Sequence, residues 1–352
     1  MIVRLPVYDE RRRAFSHVRG ERVLIYWPHG LGDFVHFGYV APFLDPTNTY
    51  AITRFGDDFV HLYDGACGIE PVLSGVAAIG DGAAQGARHL GIDWKRIGNR
   101  PADVAFPEPL ASRVRQRGIS ALLYTDYHEH QGERAFPFHT KARALIEQLA
   151  DPQRLRAADL SAPLRNALSF QAPPPMRARV EARLRDLVLP GEALYLVAPG
   201  GHTYPAKMWP KENIRELIGG LPRFDPRARV LLVDDPTLRA AFGDLEVPFA
   251  HLLVTLIAAA RALVGVPAGP LHAALAMRCC AVAGIWLAHH PDWYDEPNDR
   301  AIHLIGPLVA RKRYERKKAT ATLPPALRAR TIAFPDRIPR ASDVLEALAL
   351  MG

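Results

Sequence analysis

No apolar run in the 352 residues approaches the roughly 18 needed to span a bilayer, which excludes a helical membrane protein. The opening segment carries Arg11, Arg12 and Arg13 and lacks the apolar core of a secretion signal, so the chain is expected to stay in the cytoplasm. Cysteine is scarce. Cys67, Cys279 and Cys280 are too few and too oddly spaced for a disulfide framework or a zinc site, and are read as buried thiols. Zinc-finger spacing, a basic heptad region and the aromatic strand motif of RNA-binding sheets are all missing, which argues against nucleic acid as a partner. The glycine-lysine-serine/threonine ending of a P-loop is missing too, which argues against nucleoside triphosphate hydrolysis. There is no solenoid-length repeat and no low-complexity tract.

What is present is the balance of an ordinary globular protein, 49% hydrophobic and 23% charged. With roughly 150 residues as a domain prior, the length suggests two domains. The net charge of +7 and pI near 9.4 favour acidic partners, such as phosphorylated substrates or an anionic membrane surface.

Hydrophobic patterning divides the chain into two series of alternating strands and helices, the signature of parallel α/β sheets. In the first, 22–27 (RVLIYW) reads as a buried strand, followed by a glycine loop and a helix over 34–44. Strands are expected at 49–53 and 119–124, and a helix at about 140–149. The run APPP at 172–175 breaks regular structure, and an arginine-rich helix follows at 176–187. Domains are therefore set at 1–172 and 173–352. The second series predicts strands at 193–198, 229–233, 262–266 and 279–287, with helices at 210–221, 252–260 and between the last two strands. Ile214, Leu217, Ile218 and Leu221 share one face of the 210–221 helix, with Pro210 in its first turn. A final helix at 342–350 takes Ser342 as N-cap, and it is a candidate to pack back on the first domain.

In open α/β sheets, ligands sit beyond the carboxyl ends of the strands, where helix N-termini offer free N–H groups and a positive dipole to phosphates. Two loops of the second half fit. In the first, Gly200 and Gly201 let backbone approach a ligand, His202 and Thr203 follow, and Lys207 supplies a mobile cation for a diphosphate. The alternative for this loop is a solvent-exposed turn. The second loop runs from Val264 to His272. Gly269 and Pro270 open a helix that can offer N–H groups to the same phosphates, and His272 is either a ligand contact or a core histidine.

In the first half, Gly32 and Asp33 stand at a loop-to-helix junction. Asp33 is either a general base for an attacking hydroxyl or a helix cap. His29, Gly30, Gly32, His128 and His139 complete the candidates for holding the second substrate. The groups His128, Glu129, His130, Glu133 and His289, His290, Asp292 lack the spacing of a metal site, and no metal is expected. The basic run 311–318 is a solvated loop or an attractor for a phosphorylated or lipid-linked substrate.

Taken in order, these segments resemble glycosyltransferase family 9, the lipopolysaccharide heptosyltransferases. The strand from Leu24 ending in Leu31-Gly32-Asp33 is similar to the family's opening strand. His139-Thr140-Lys141-Ala142-Arg143 is similar to its His-x-x-Asp-Arg. Ala198-Pro199-Gly200, with Lys207-Met208-Trp209-Pro210 behind it, resembles His-Pro-Gly followed by Lys/Arg-x-Trp-Pro. The stretch from Gly265 to His272 resembles Gly-Asn-Asp-Ser-Gly-Pro-Met-His. The resemblance runs from Arg22 to Pro297.

It implies a GT-B fold, two Rossmann-like doubly wound domains facing across a cleft. It implies an inverting sugar transfer without a bound metal or other cofactor, with a nucleotide-diphosphate sugar, ADP-heptose-like, as co-substrate. The acceptor would be a glycan, a lipid-linked molecule or a protein, with peripheral contact at the inner membrane surface. Asp33 is implied as base, Thr203 and Lys207 on the diphosphate, and Asp234 or Asp235 on the ribose. Departures are visible, the first being Ala142 at the acidic position of His-x-x-Asp-Arg. His29 and Gly30 stand where the family has small hydroxyl residues, Pro267 and Ala268 replace its Asp-Ser pair, and Ala288 and His289 replace Pro-Thr. The stretch between Val233 and Leu252 is short, which is expected to remove most of a helix. A nucleotide-sugar-binding protein without catalysis, and a GT-B epimerase, are the alternatives.

Overall fold

The computed structural model describes residues 2–4, 8–9, 14–15, 20, 22–27, 31–54, 69–71, 103–105, 121–124, 146, 151–158, 164, 166, 170–200, 205–233, 236–288, 290–291, 298–310 and 330–352. The chain divides into two compact units, residues 1–136 with 141–169, and residues 137–140 with 170–352.

The first unit contains β1 (Ile2–Arg4), β2 (Tyr8–Asp9), β3 (Ala14–Phe15), β4 (Arg22–Trp27), β5 (Thr49–Arg54), β6 (Ile69–Pro71), β7 (Asp103–Ala105) and β8 (Ala121–Tyr124). Its six-stranded sheet runs β6-β5-β4-β8-β1-β7, parallel except for β7, while β2 and β3 form a separate hairpin pair. Strand β4 lies between β5 and β8, with Trp27 level with Arg54 and Tyr26 level with Tyr124. The order of the chain thus reverses at β4, with later strands added on both sides.

Helix α1 (Leu31–Phe37) follows β4 directly, earlier and shorter than the expected 34–44. A 3₁₀ turn at Ala41–Phe43 replaces its second half, because Pro42 supplies no N–H for a continuing helix. The segment behind it is pinned from afar. Arg154 of α2 (Pro152–Ala157) donates to the Pro42 carbonyl at 2.8 Å, and Asn166 donates to that of Val35 at 2.7 Å. Of the helix expected at 140–149, Ile146 alone is described, as helical and buried.

The second unit carries α3 (Pro174–Leu187), β9 (Ala193–Ala198), α4 (Lys211–Phe224), β10 (Ala228–Leu232), α5 (Pro236–Phe242) and α6 (Phe249–Ala259). It continues with β11 (Ala262–Gly265), α7 (Gly269–Met277), β12 (Ala281–Trp286), β13 (Ala301–Ile305), β14 (Thr331–Ala333) and α8 (Ala341–Ala349). All six strands are parallel, in the order β10-β9-β11-β12-β13-β14. Burial on both faces is why the inner strands β9, β11 and β12 read as continuous apolar runs, while the edge strands β10 and β14 are partly exposed. Helix α4 places Leu217 and Leu221 against Tyr195, Val197, Val264 and Ile285, and Val344 and Leu348 of α8 join the same cluster. Helices α6 and α7 belong to the opposite face, where α6 is buried over Ala250 to Ile257. The crossover therefore changes face between β9 and β11, which makes this unit doubly wound.

Several expectations are corrected here. In the short stretch after Val233 the chain forms a two-turn helix, α5. Helix α8 packs on α4 and β12 within its own unit. Cys280 is buried but Cys279 is exposed, since the chain bends there between α7 and β12; Cys67 lies outside the described residues. Ser342 is not the N-cap. Helix α8 begins at Ala341, and the N–H of Arg340, the capping position, donates to Asp343 Oδ2 at 2.6 Å. A carboxylate reaching back from the third helical position meets the N–H and the helix dipole together, which a hydroxyl at 342 does not.

Asp343 also takes two bonds from Arg337, to Oδ2 at 2.5 Å and Oδ1 at 2.7 Å. The Arg337 guanidinium, then the Arg340 N–H, hold its carboxyl below the ordinary 3.8. A depressed carboxylate stabilises the fold above the unfolded value and loses that contribution as pH falls through the folded one. Asp343→Ala is expected to lower stability by about 1–2 kcal/mol at neutral pH, the range for a lost helix cap. Urea midpoints should show the difference from wild type shrinking below pH 3.8; a gap that persists at pH 2 would mean the carboxylate charge is not its source.

Candidate functional site

Strands β9 and β11 are neighbours with Ala198 level with Gly265, and the chain leaves them toward opposite faces of the sheet. A parallel α/β sheet places its ligand crevice at such a reversal, because the two exiting loops splay apart at the carboxyl edge. Among the described residues, 199–200, 205–210 and 266–268 stand at this edge. Gly265 allows the strands to meet: a Cβ there would stand 3.1 Å from the Ala198 carbonyl oxygen. The Val266 N–H then donates to that same oxygen at 3.1 Å, continuing the pairing past the strand ends.

The first loop is closed at its base. The Trp209 N–H donates to the Pro199 carbonyl at 3.2 Å, and its indole N–H to the Pro339 carbonyl at 2.8 Å. Asn213 Nδ2 donates to the same Pro339 oxygen at 3.2 Å. Trp209 is 2% exposed, within the α4 and α8 core. Between these ends, Pro205–Lys207 forms a 3₁₀ turn that finishes on the half-buried Lys207. Met208 is 47% exposed and lies over Gly200, where a Cβ would come within 3.3 Å of its Cε. Pro210 is the N-cap of α4 with no side-chain cap bond, so the first N–H groups of this 14-residue helix have no side-chain acceptor at that position.

The second loop enters α7 through Ala268, extended at φ −145° and likewise without a side-chain cap bond. Pro267 is buried and Ala268 is half-buried. With Pro270 lacking an N–H, Gly269 and Leu271 are the amides the first turn can present. His272 is placed in the interior, its ring edge-on to Trp286 with centroids 6.2 Å apart. Trp286 Nε1 in turn donates to His303 Nδ1 at 3.0 Å, beneath α7. Gly284 makes room for this pair, since a Cβ there would lie 2.7 Å from Trp286 Nε1.

The structure thus brings Gly200, Lys207, Gly269 and Pro270 to one edge of the sheet, with His272 behind them. In the first unit, Gly32 and Asp33 fall in the first turn of α1, two helical residues deep, so Asp33 is not the N-cap residue. Gly201, His202, Thr203, Asp234, Asp235, His29, Gly30, His128, His139, Glu129, His130, Glu133, His289, Asp292 and the basic run 311–318 lie outside the described residues. Among the described residues, no three His, Cys, Asp or Glu side chains gather as a metal site, and no helix is long and apolar enough to cross a membrane. What sequence reading missed is the contribution of Trp209, Asn213 and Pro339. The Trp-Pro pair before α4 signalled a helix start, but its partner carbonyl lies 130 residues away.

Electrostatics at the opposite, amino edge are structural. Asp225 accepts from the Tyr195 hydroxyl at 3.1 Å and pairs with Arg227 at 3.4 Å. The Arg227 N–H, ahead of that hydroxyl, holds the Asp225 carboxyl low, while burial pushes the Tyr195 phenol up.

No protein-family model matches the sequence, and no curated protein matches it. Among solved structures, the chain is similar to the glycosyl transferase family 9 protein of Veillonella parvula, at 12% identity and a TM-score of 0.59, over 96% of this chain and 98% of that one. It is also similar to the E. coli ADP-heptose LPS heptosyltransferase II, at 15% identity and a TM-score of 0.51, over 94% of this chain and 98% of that one. At such identity the likeness is one of fold: two Rossmann-like α/β domains of the GT-B class.

Proposed function

We propose that this chain is a glycosyltransferase whose second unit holds a nucleoside-diphosphate sugar and whose first unit holds a hydroxyl acceptor. The observation that carries the reading is that both loops leaving the β9/β11 reversal lead into helices whose N-caps make no side-chain bond. A diphosphate is the ligand chemistry such an edge suits, because backbone N–H groups and two helix dipoles act on one anion with Lys207 beside them.

In the proposed reaction, the acceptor oxygen attacks the anomeric carbon as its bond to the diphosphate breaks. Asp33 takes the hydroxyl proton, and the nucleoside diphosphate leaves with inverted configuration at the sugar. Lys207 and the amides at Gly269 and Leu271 stabilise the charge that develops on the leaving group. An ADP-linked heptose is the proposed donor, on the resemblance of the three motif segments, and a bacterial surface glycan is the proposed acceptor. Binding without transfer is the second reading. It is favoured by Pro267 and Ala268, which present neither carboxylate nor hydroxyl at the entrance to α7.

The deciding experiment is thermal stabilisation by ADP, UDP, GDP, dTDP and CMP, each at equal concentration. A nucleotide at about 100 times its dissociation constant adds roughly 2.7 kcal/mol, a rise of several degrees for a domain of this size. ADP is expected to give it. Lys207→Ala is expected to weaken that nucleotide roughly tenfold to a hundredfold, the cost of a charge-assisted bond. If no nucleotide stabilises the chain, the donor-site reading is wrong; if one does but no sugar is transferred to any acceptor or water, the binding-protein reading replaces the enzyme.

A further inference from the structure

In the second unit, arginine is the residue immediately before several of the parallel strands. Arg227 precedes β10, Arg261 precedes β11, Arg300 precedes β13 and Arg330 precedes β14. Backbone bonds fix each of them in the amino edge of the sheet. The Ala193 N–H donates to the Arg227 carbonyl at 2.8 Å, while Arg261 donates to the Leu194 carbonyl at 2.8 Å and accepts from the Ala281 N–H at 3.1 Å. The Arg300 carbonyl accepts from Val282 at 2.7 Å, and that of Arg330 from His303 at 2.8 Å. Neighbouring strands lie about 4.8 Å apart, so the strand order lays these cations out as a row across the sheet. Arg278, in the bend before β12, and Arg223, in the last turn of α4, stand at the same edge.

All of these arginines are exposed except Arg330, which is half-buried. Asp225 pairs with Arg227 at 3.4 Å and with Arg261 at 3.8 Å. Glu192 and Asp299 are the other described carboxylates in the loops of this edge, and Asp186 is offset by its neighbour Arg185 in the last turn of α3. Helix ends take up part of the charge, as where Arg300 Nη1 donates to the Cys279 carbonyl at 3.0 Å. Exposed apolar side chains lie among the cations. Leu350, which closes α8, is 73% exposed, Leu189 ahead of β9 is 59% exposed, and Phe224 at the end of α4 is 38% exposed. The end of α8 meets the row directly, since a Cβ on Gly352 would lie 3.8 Å from Arg261 Nη2. We propose that this amino edge docks on an anionic lipid surface, with the arginines on headgroup phosphates and the apolar side chains between the headgroups.

A row of guanidiniums matches a plane of phosphates, and each cation near an anionic leaflet adds to the attraction. Leucine and phenylalanine at the same edge decide between lipid and a dissolved polyanion. A polyanion offers them no apolar phase, whereas a bilayer interface takes them in beside the basic side chains. The docking also has a direction. The glycine loops leave the carboxyl edge of the same sheet, so contact through the amino edge keeps those loops clear of the lipid. It does not depend on what the carboxyl edge binds.

The test is flotation of the whole chain with vesicles of phosphatidylcholine alone, or with about 30% phosphatidylglycerol to supply a negative surface potential. Binding is expected to the anionic vesicles only, and to fall steeply between about 0.05 and 0.5 M salt as screening sets in. Arg223→Gln combined with Arg278→Gln removes two exposed cations and leaves the Asp225 pairs in place. It should weaken binding roughly tenfold to thirtyfold, about fivefold for each charge. Lys211→Gln combined with Arg215→Gln removes the same charge from the other end of α4, and should bind as wild type. Leu350→Ser should weaken binding about tenfold, the loss of one buried leucine. These positions are exposed, and urea midpoints near wild type verify that each variant is folded. No binding to anionic vesicles overturns the docking face. Equal weakening in the Lys211 and Arg215 pair overturns it too, by assigning the attraction to net charge. Undiminished binding by Leu350→Ser would put a dissolved polyanion in place of the lipid surface.

Discussion

Asp33→Asn is expected to lower sugar transfer by roughly 10²–10⁴-fold, the usual contribution of a positioned general base, while leaving nucleotide stabilisation as in wild type. The substitution keeps size and removes basicity, so it separates proton removal from packing. Asp33 is proposed for this role because it sits in the first turn of α1, at the carboxyl end of β4, where the first unit's strand order reverses between β4 and β8. That is the edge where an acceptor is expected to bind. The measurement is donor consumption with acceptor present, alongside the thermal shift. An Asp33→Asn enzyme with full turnover removes Asp33 from the mechanism and leaves the donor site standing. A variant that loses both transfer and nucleotide response has failed as a protein, and Asp33→Glu, with a carboxylate one methylene longer, then serves as the comparison.

Trp209→Ala is expected to cost about 3–5 kcal/mol of stability, the range for truncating a buried aromatic, and to abolish the nucleotide response of whatever protein remains folded. Trp209 fills the core between α4 and α8 and also ties the loop at both of its bonds, to Pro199 and to Pro339. Trp209→Phe separates these roles. It retains most of the apolar contact and loses the indole N–H, leaving Asn213 as a donor to the Pro339 carbonyl. Its stability loss should be smaller, about 1 kcal/mol, yet nucleotide affinity should still drop because Lys207 is two residues away on a loosened loop. Urea midpoints and nucleotide titration read the two effects independently. Normal affinity in Trp209→Phe would mean the Pro339 bond does not shape the loop.

The second unit was the more legible in sequence. Residues 193–198 were bounded as found because a fully buried parallel strand is an uninterrupted apolar run, and the face of α4 was marked by Ile214, Leu217, Ile218 and Leu221. The bounds of that helix were short at its end and early at its start. Pro210 is its cap and not its first residue, and Pro222 falls inside its last turn without ending it, since α4 runs to Phe224. Strand order was not legible at all. The antiparallel pairing of β1 with β7 joins residues about a hundred positions apart, and no local pattern encodes such a pairing. The glycine loops announced themselves because backbone approach requires particular residues at particular places. The Pro339 carbonyl did not, since any residue has one. The N-cap of α8 was misplaced for a related reason: composition offered Ser342, while the distant-looking Arg337 made Asp343 the better acceptor.

The stack beneath α7 constrains how this unit can diverge. With Gly284 leaving no space for even a methyl group, and Trp286 and His303 locked by their mutual bond, α7 rests on a floor that tolerates neither larger nor differently shaped residues. Descendants of this sequence that came to accept another ligand would therefore inherit the helix unchanged. Their variation would collect in the loops at the carboxyl edge, at exposed Met208 and half-buried Ala268, where a new side chain enters the proposed donor edge before it meets the core.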